Sequence, residues 1–323
     1  KIMKDQYGRL IDYLRISVTD RCNLRCVYCM PEKGVTWIPH SEVLTYEELL
    51  TVGKAAAALG IKHIKITGGE PLLRKNVTEF IARLKKTKGI ETVTLTTNGI
   101  LLPNYIDQLS EAGIDGINIS LDTLEEKKFR KLTRNGEVKD VWKGISSVLP
   151  YDQINMKINC VLAGKDWQKD AVRVAEIAKK YRIHVRFIEL MPIQNQEEKG
   201  NLEEEIKALL EDVYGPMRRC EERIGFGPSV YYELPEFCGK IGFISAVSHK
   251  FCNQCNRIRL TCDGKLRLCL QSENAVDLKS ALRQGACEEE LKQLLERGLL
   301  EKPREHRFGC DCIEGETMSR IGG

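Results

Sequence analysis

No apolar run in the sequence approaches the roughly 18 residues that crossing a membrane demands. The first ten residues, KIMKDQYGRL, lack the apolar stretch of a secretory leader. Together these absences set the expectation of a cytoplasmic protein with no membrane partner. Charge of one sign is scarce as well, since 50 Lys and Arg stand against 46 Asp and Glu for a net +4. A nucleic-acid partner is therefore not expected, because that footprint needs a concentrated basic stripe. Also missing is any Ser–His–Asp grouping or carboxylate pair that would announce hydrolytic or general acid–base work. What remains, at 42% hydrophobic and 30% charged residues, is ordinary globular composition. The 323 residues suffice for two domains or for one large α/β barrel with an appendage.

Cysteine, by contrast, is abundant, with 13 copies. In a reducing compartment that many thiols point to metal binding or catalysis before disulfides. Cys160, Cys220, Cys238 and Cys287 stand alone and read as small hydrophobes. Cys310 and Cys312 form a C-x-C without partners of matching spacing, and no role is assigned to them. The informative stretch is DRCNLRCVYCMP, Asp20–Pro31, which gathers Cys22, Cys26 and Cys29. Zinc wants four ligands and disulfides want even numbers. Three thiolates at unequal spacing suggest a metal centre with one coordination position open; a zinc knuckle with a distant fourth ligand is the alternative.

From Tyr13 to Met191 a short β-branched run followed by a helical stretch recurs at intervals near 30 residues. The runs are Tyr13–Val18, His63–Thr67, Thr92–Thr96, Gly116–Ser120, Met156–Val161 and His184–Glu189. Thr45 with Glu48 reads as a capping box opening an Ala/Leu-rich helix, and Asn76 with Glu79 as a weaker version. Such alternation predicts an α/β fold of parallel units with helices outside, an incomplete (β/α)6 TIM-like barrel over residues 1–200. The repeat stops near Asn201, so residues 201–323 read as a second domain covering the barrel's open side.

Each strand carries two alternating sets. One is apolar: Leu14/Ile16, Ile64/Ile66, Val93/Leu95, Ile117/Ile119, Met156/Ile158, Val185/Phe187. The other is polar: Arg15/Ser17, Lys65/Thr67, Thr94/Thr96, Asn118/Ser120, Lys157/Asn159, His184/Arg186. Period two sends them to opposite faces. An antiparallel sheet with one wet face would alternate too, but the long helical connections favour a barrel with a polar lumen. Arg15, Lys65, Lys157 and Arg186 then converge on one cavity. Four inward cations repel each other unless an anion sits among them, and a polyphosphate is the natural candidate.

Further on, HKFCNQCNRIRLTCDGKLRLCL (His249–Leu270) places Cys252 and Cys255 as a C-x2-C, with Cys269 after a hairpin turning at Asp263-Gly264. Alternation puts Arg257 and Arg259 on one face. Cys262 is a possible fourth ligand, which would make the unit a zinc ribbon.

C-x3-C-x2-C with Tyr28 before the last cysteine resembles the radical SAM superfamily. That resemblance implies a [4Fe–4S] cluster on Cys22, Cys26 and Cys29 whose fourth iron chelates S-adenosyl-L-methionine. The ITGGEP segment, Ile66–Pro71, is similar to the superfamily's contact for the methionine part of that cofactor. Gly69 would allow close backbone approach, and Glu70 would accept from an α-ammonium. The second cysteine set, NRIR directly after Cys255, and the ending MSRIGG resemble, over the whole chain, the GTP 3′,8-cyclase family of molybdenum cofactor biosynthesis. This narrower resemblance implies a second [4Fe–4S] cluster on Cys252, Cys255 and Cys269, facing the purine and leaving Cys262 a bystander. It implies S-adenosylmethionine at Tyr28, Gly69, Ser120 and Met191, and GTP at Arg15, Lys65, Thr96, Lys157 and Arg257–Ile258–Arg259. It further implies a tail, Arg320, Gly322 and Gly323, that enters the site and promotes the radical step.

The activity implied is reductive cleavage of S-adenosylmethionine to a 5′-deoxyadenosyl radical, which takes the hydrogen from C3′ of GTP so that C3′ bonds to guanine C8. An electron donor and a next enzyme, cyclic pyranopterin monophosphate synthase, are the implied partners, for a monomer or homodimer. Another radical SAM enzyme with an auxiliary cluster and a non-catalytic metal-binding module are the competing readings. The first would not need four lumen cations, and the second would be colourless if it held zinc.

Overall fold

The computed structural model describes residues 3–162, 166–191, 202–272, 274–306 and 318–321. Six strands form within a residue of the expected bounds: β1 Tyr13–Ser17, β2 His63–Thr67, β3 Thr92–Thr97, β4 Gly116–Ser120, β5 Asn155–Cys160 and β6 His184–Ile188. Helices α1 Tyr46–Ala58, α2 Val77–Lys85, α3 Ile106–Glu111, α4 Glu126–Thr133, α5 Val138–Val148 and α6 Trp167–Lys180 connect them. All five strand pairings are parallel, which disposes of the antiparallel alternative.

Register explains the two faces. Ile16, Ile66, Leu95, Ile117 and Met156 are direct neighbours across five strands, each at most 5% exposed. Burying such a side chain contributes about 1.5–3 kcal/mol, so this row holds the helices on the sheet. On the other face Arg15 is beside Lys65, and Asn118 lies between Thr96 and Lys157. These polar residues lie on two successive rows of the face turned away from the helices.

The remaining elements are α7 Leu202–Tyr214, β7 Arg218–Arg219, β8 Val230–Glu233, β9 Ile241–Ile244, β10 Arg257–Leu260, β11 Lys265–Arg267, β12 Ala275–Asp277, α8 Leu278–Arg283, α9 Glu288–Leu299 and α10 Met318–Ile321. They extend the sheet at both edges. β10 joins β1 and β9 joins β6, both in parallel, giving eight adjacent parallel strands. That is the number of a closed barrel. However, antiparallel β11 and β8 take the outer edges of β10 and β9, so among the described residues the barrel stays partial.

The two helix starts differ. Thr45 and Glu48 form the full capping box: the Glu48 N–H donates to Thr45 Oγ1 at 3.1 Å, and the Thr45 N–H to Glu48 Oε2 at 2.7 Å. Asn76 is a correction. It precedes α2 with φ of 62° and its side chain caps nothing, so it supplies a left-handed turn residue and no cap.

Candidate functional site

The loop carrying Cys22, Cys26 and Cys29 leaves the C-terminal end of β1, where chemistry lies in this architecture. Its backbone is pinned from several sides. The Gly69 N–H donates to Thr19 O at 2.7 Å and the Glu70 N–H to Arg21 O at 2.8 Å. A Cβ on Gly69 would lie 2.3 Å from Arg21 O. The glycine is therefore required by the cysteine loop itself, a constraint independent of any ligand. Arg134 Nη1 donates to the carbonyls of Arg25 and Met30, at 2.8 and 2.9 Å, tying α4's end to the same loop.

The three thiols share one neighbourhood, each within electrostatic reach of another. Burial pushes all three thiols up, Cys29 to about 12. Thiols that are gathered yet too buried to ionise unaided suit a cationic iron–sulfur unit, which would reverse that penalty. Among the described residues no three His, Cys, Asp or Glu side chains converge closely enough to hold a metal ion. Tyr28 Oη donates to Asp122 Oδ2 at 2.6 Å, fixing the aromatic ring to the end of β4, beside Ser120 in the chain.

Glu70 also has a framework role. It is fully buried, and three protein donors use its carboxylate: the Leu72 N–H at 3.0 Å, the Thr97 hydroxyl at 2.8 Å and the Asn98 N–H at 2.8 Å. Burial raises its pKa to about 7. Glu70 thereby braces the ends of β2 and β3 under the cysteine loop, and three donors leave a carboxylate one acceptor position.

The tail helix reaches this end. The Ser319 backbone amide hydrogen-bonds to the Cys29 thiol, and Arg320 Nη2 donates to Thr36 O at 2.7 Å. Met191 packs in a small apolar cluster with Leu270, Val247, Met318 and Ile321, so it meets the tail as well as the strand end. Gly322, Gly323, Cys310 and Cys312 lie outside the described residues.

Inside the sheet is a cavity of about 660 Å³, within the range of pockets that enclose a small ligand. Arg15, Lys65, Thr96, Lys157, Arg186 and Arg257 line it. Burial, then Arg186, Arg15, Lys157 and Arg257, hold Lys65 well below the usual lysine range. Burial and Arg186 bring Lys157 down to about 7. Arg15 falls to about 10, and Arg259, buried beside Arg15 and Arg257, drops well below its ordinary value. These shifts share one cause: cations crowded together away from water. Arg186 is oriented by Asn159, whose Oδ1 accepts from Nε at 2.9 Å and also from Nη2. Alternation turns the Ile258 side chain away from Arg257 and Arg259, which leaves its backbone as the part that could meet a ligand. The residue is 0% exposed in the helix-side core, opposite Leu14, and offers the lumen no side chain.

Cys252 and Cys255 precede β10, at the opposite end of the lumen from the first thiols. Antiparallel β11 brings Cys269 back to that end, where Lys302 and Arg259 each feel both Cys255 and Cys269. Burial alone would raise Cys255, but Lys302, Arg257, an Arg257 backbone hydrogen bond and Arg9 outweigh it and hold the thiol at about 7. Cys262 follows the far end of β10, roughly 20 Å of extended chain from Cys255. It is buried among Asp20, Asp263, Ser17 and Arg74, with its pKa raised to about 12 by burial. A zinc ribbon built on Cys262 is thereby excluded.

Sequence reasoning missed the segment from Glu222 to Ser229, which lines the lumen. Lys157 Nζ donates to Ile224 O at 3.3 Å and lies 5.4 Å over the Tyr231 ring. Phe226 stacks on His63, with ring centroids 3.4 Å apart. Its glycines and lack of periodicity mark only a loop; nothing local says which face it covers. Asn159 was legible as a member of the polar set, though not as Arg186's partner.

Residues 16–206 match the radical SAM superfamily, and residues 183–308 match the family described as Molybdenum Cofactor Synthesis C. Curated relatives include the GTP 3′,8-cyclase of Heliobacterium modesticaldum, 44% identical over 330 residues, covering 99% of this chain and 100% of the relative. The GTP 3′,8-cyclase of Desulforamulus reducens is 44% identical over 325 residues, with 99% and 100% covered. Among solved structures, Streptococcus suis SuiB bound to S-adenosylmethionine is similar with a TM-score of 0.62 at 14% identity, over 93% of this chain and 74% of that one. At that identity the likeness speaks for the fold alone.

Proposed function

Because the chain belongs to the GTP 3′,8-cyclase family of the radical SAM superfamily, we propose that its lumen holds GTP between two three-thiol sites at opposite ends of the strands. The chain is an enzyme, a cyclase acting in the first step of molybdenum cofactor biosynthesis. When bound, the groups supply reductive cleavage of S-adenosylmethionine and the radical chemistry that joins C3′ of GTP to guanine C8. Cys22, Cys26 and Cys29 would hold one [4Fe–4S] cluster and Cys252, Cys255 and Cys269 the other. Tyr28, Gly69, Ser120 and Met191 border the end where S-adenosylmethionine belongs.

The observation that carries this reading is the crowd of lumen cations. Arg15, Lys65, Lys157 and Arg259 are lowered by burial and by neighbouring cations, Arg186 and Arg257 among them. A triphosphate neutralises the crowd, so each cation favours the bound state more than the free one. The arginines offer planar forks to phosphate oxygens, while Lys65 and Lys157 act as point charges. Thr96 adds a hydroxyl donor. Lys157 already donates to the Ile224 carbonyl and has further N–H donors for a phosphate, so one side chain links the lumen-lining segment to the ligand site. The chain's remaining tasks are to aim the ribose and keep water from a reactive centre. Arg320, Gly322 and Gly323 would complete that enclosure from the tail.

Residues 1–200 would then carry the radical-generating half and residues 201–323 the second cluster. An electron donor, a cyclic pyranopterin monophosphate synthase receiving the product, a cytoplasmic setting and a monomer or homodimer belong to the same proposal. The test is anaerobic incubation with GTP, S-adenosylmethionine and dithionite. 5′-Deoxyadenosine should accumulate with GTP and stay near background with ATP or without nucleotide. Equal amounts with and without GTP would refute the substrate assignment.

A further inference from the structure

Two buried cations outside the lumen bracket the second cysteine set. Lys302 follows α9 and is 2% exposed. Its Nζ donates to Arg257 O at 2.8 Å and to Leu268 O. Arg257 is two residues after Cys255, and Leu268 directly precedes Cys269. One ammonium thus ties together the two segments that carry these thiols. Arg9 clamps the third: its Nη1 donates to Cys252 O at 2.7 Å. The same guanidinium donates to Arg304 O at 2.8 Å and Pro303 O at 2.7 Å, binding the Lys302 segment to the Cys252 turn.

The two cations differ in electrostatic effect. Arg9 is paired with Asp5 through Nε and Oδ2 at 2.5 Å, although its charge still helps lower Cys255. Lys302 makes no ion pair with a carboxylate among the described residues, and the anions that reach it are Cys255 and Cys269. Carbonyl acceptors favour the protonated amine, and a bound polyanionic centre would do so more strongly.

We propose that Lys302 is a positioning residue for the second cluster, holding the Cys255 and Cys269 segments together and raising the cluster's reduction potential, with Arg9 fixing the Cys252 turn. The inference rests on the two-cluster reading above. A cluster gaining an electron becomes more negative, so a nearby buried cation stabilises the reduced form and the potential rises. A buried ammonium is costly to desolvate, and the two carbonyls it joins both lie next to the thiol-bearing positions.

The experiment uses the full-length chain with Cys22, Cys26 and Cys29 replaced by Ala, so that the second cluster is read alone. Iron is counted and the potential is taken from an EPR-monitored redox titration, with and without Lys302→Met. Unaltered at Lys302, the chain should carry about four irons. The Met variant should titrate at a lower potential, while Lys302→Arg stays nearer the parent. A loaded Met variant with the parent's potential overturns the proposal. If the Met variant does not fold or does not load, Lys302→Arg decides: recovered iron supports the proposal, and iron still missing overturns it. Absence of iron from the parent itself would instead sink the two-cluster reading.

Discussion

Lys157 is the residue at which pH enters substrate binding. In the free protein its pKa is about 7, lowered by burial and by Arg186; a bound triphosphate favours the charged form. Below pH 7 the ammonium is already present and affinity should be flat. Above it each binding event must take up a proton, so GTP affinity should fall between pH 7 and 8.5 by roughly tenfold. Lys65, also lowered, steepens the fall. Calorimetry in buffers of different ionisation enthalpy should show proton uptake at pH 8, and Lys157→Arg should remove part of it. No uptake would mean that Lys157 does not meet the phosphates. Glu70 is a second case, a residue whose motif suggests a ligand contact and whose burial also makes it part of the framework. Glu70→Ala strands three donors and should cost about 2–5 kcal/mol of ligand-free stability, read by denaturant titration. Unchanged stability with loss of S-adenosylmethionine binding would contradict the framework role. Side-chain direction is the least legible feature in sequence, because Ile258 shares a motif with Arg257 and Arg259 while its side chain turns to the helix-side core.

At the scale of elements, the strands were legible because two periodicities agree: apolar residues in one register and polar residues in the other. The capping box at Thr45 was legible for a similar reason, being a local exchange of two hydrogen bonds. β9 and β10 were not legible as barrel strands, since their parallel partners β6 and β1 are remote in sequence. The Glu222–Ser229 segment escaped because its conformation is set by His63, Lys157 and Asn256 and not by its own residues. α10 yields the prediction at this scale. Its residues Ser319 and Arg320 meet Cys29 and Thr36 at the first thiol site. Deleting Gly322 and Gly323 should leave iron content and GTP affinity near the parent's while GTP-dependent 5′-deoxyadenosine formation drops by at least tenfold. A truncated chain that turns over at the parental rate would show the tail to be dispensable.

Over the whole molecule the arrangement is a tube with a thiol trio at each end and cations along its wall. β1 and β10 set that layout: the first trio follows one strand and two thiols of the second precede the other, and the strands run parallel in register from Tyr13–Arg257 to Ile16–Leu260. The sequence showed both trios and most of the cations; only the topology shows that the trios face each other across the lumen. A substrate held between them must present its ribose to the end bearing Cys22, Cys26 and Cys29. The decisive measurement is therefore anaerobic turnover with GTP deuterated at C3′, followed by mass spectrometry of the 5′-deoxyadenosine released. Deuterium should pass from the ribose into that product, and GTP protonated at C3′ should give none. 5′-Deoxyadenosine free of deuterium, formed while the labelled GTP keeps its label, would contradict hydrogen abstraction at C3′ and with it the placement of GTP in this lumen.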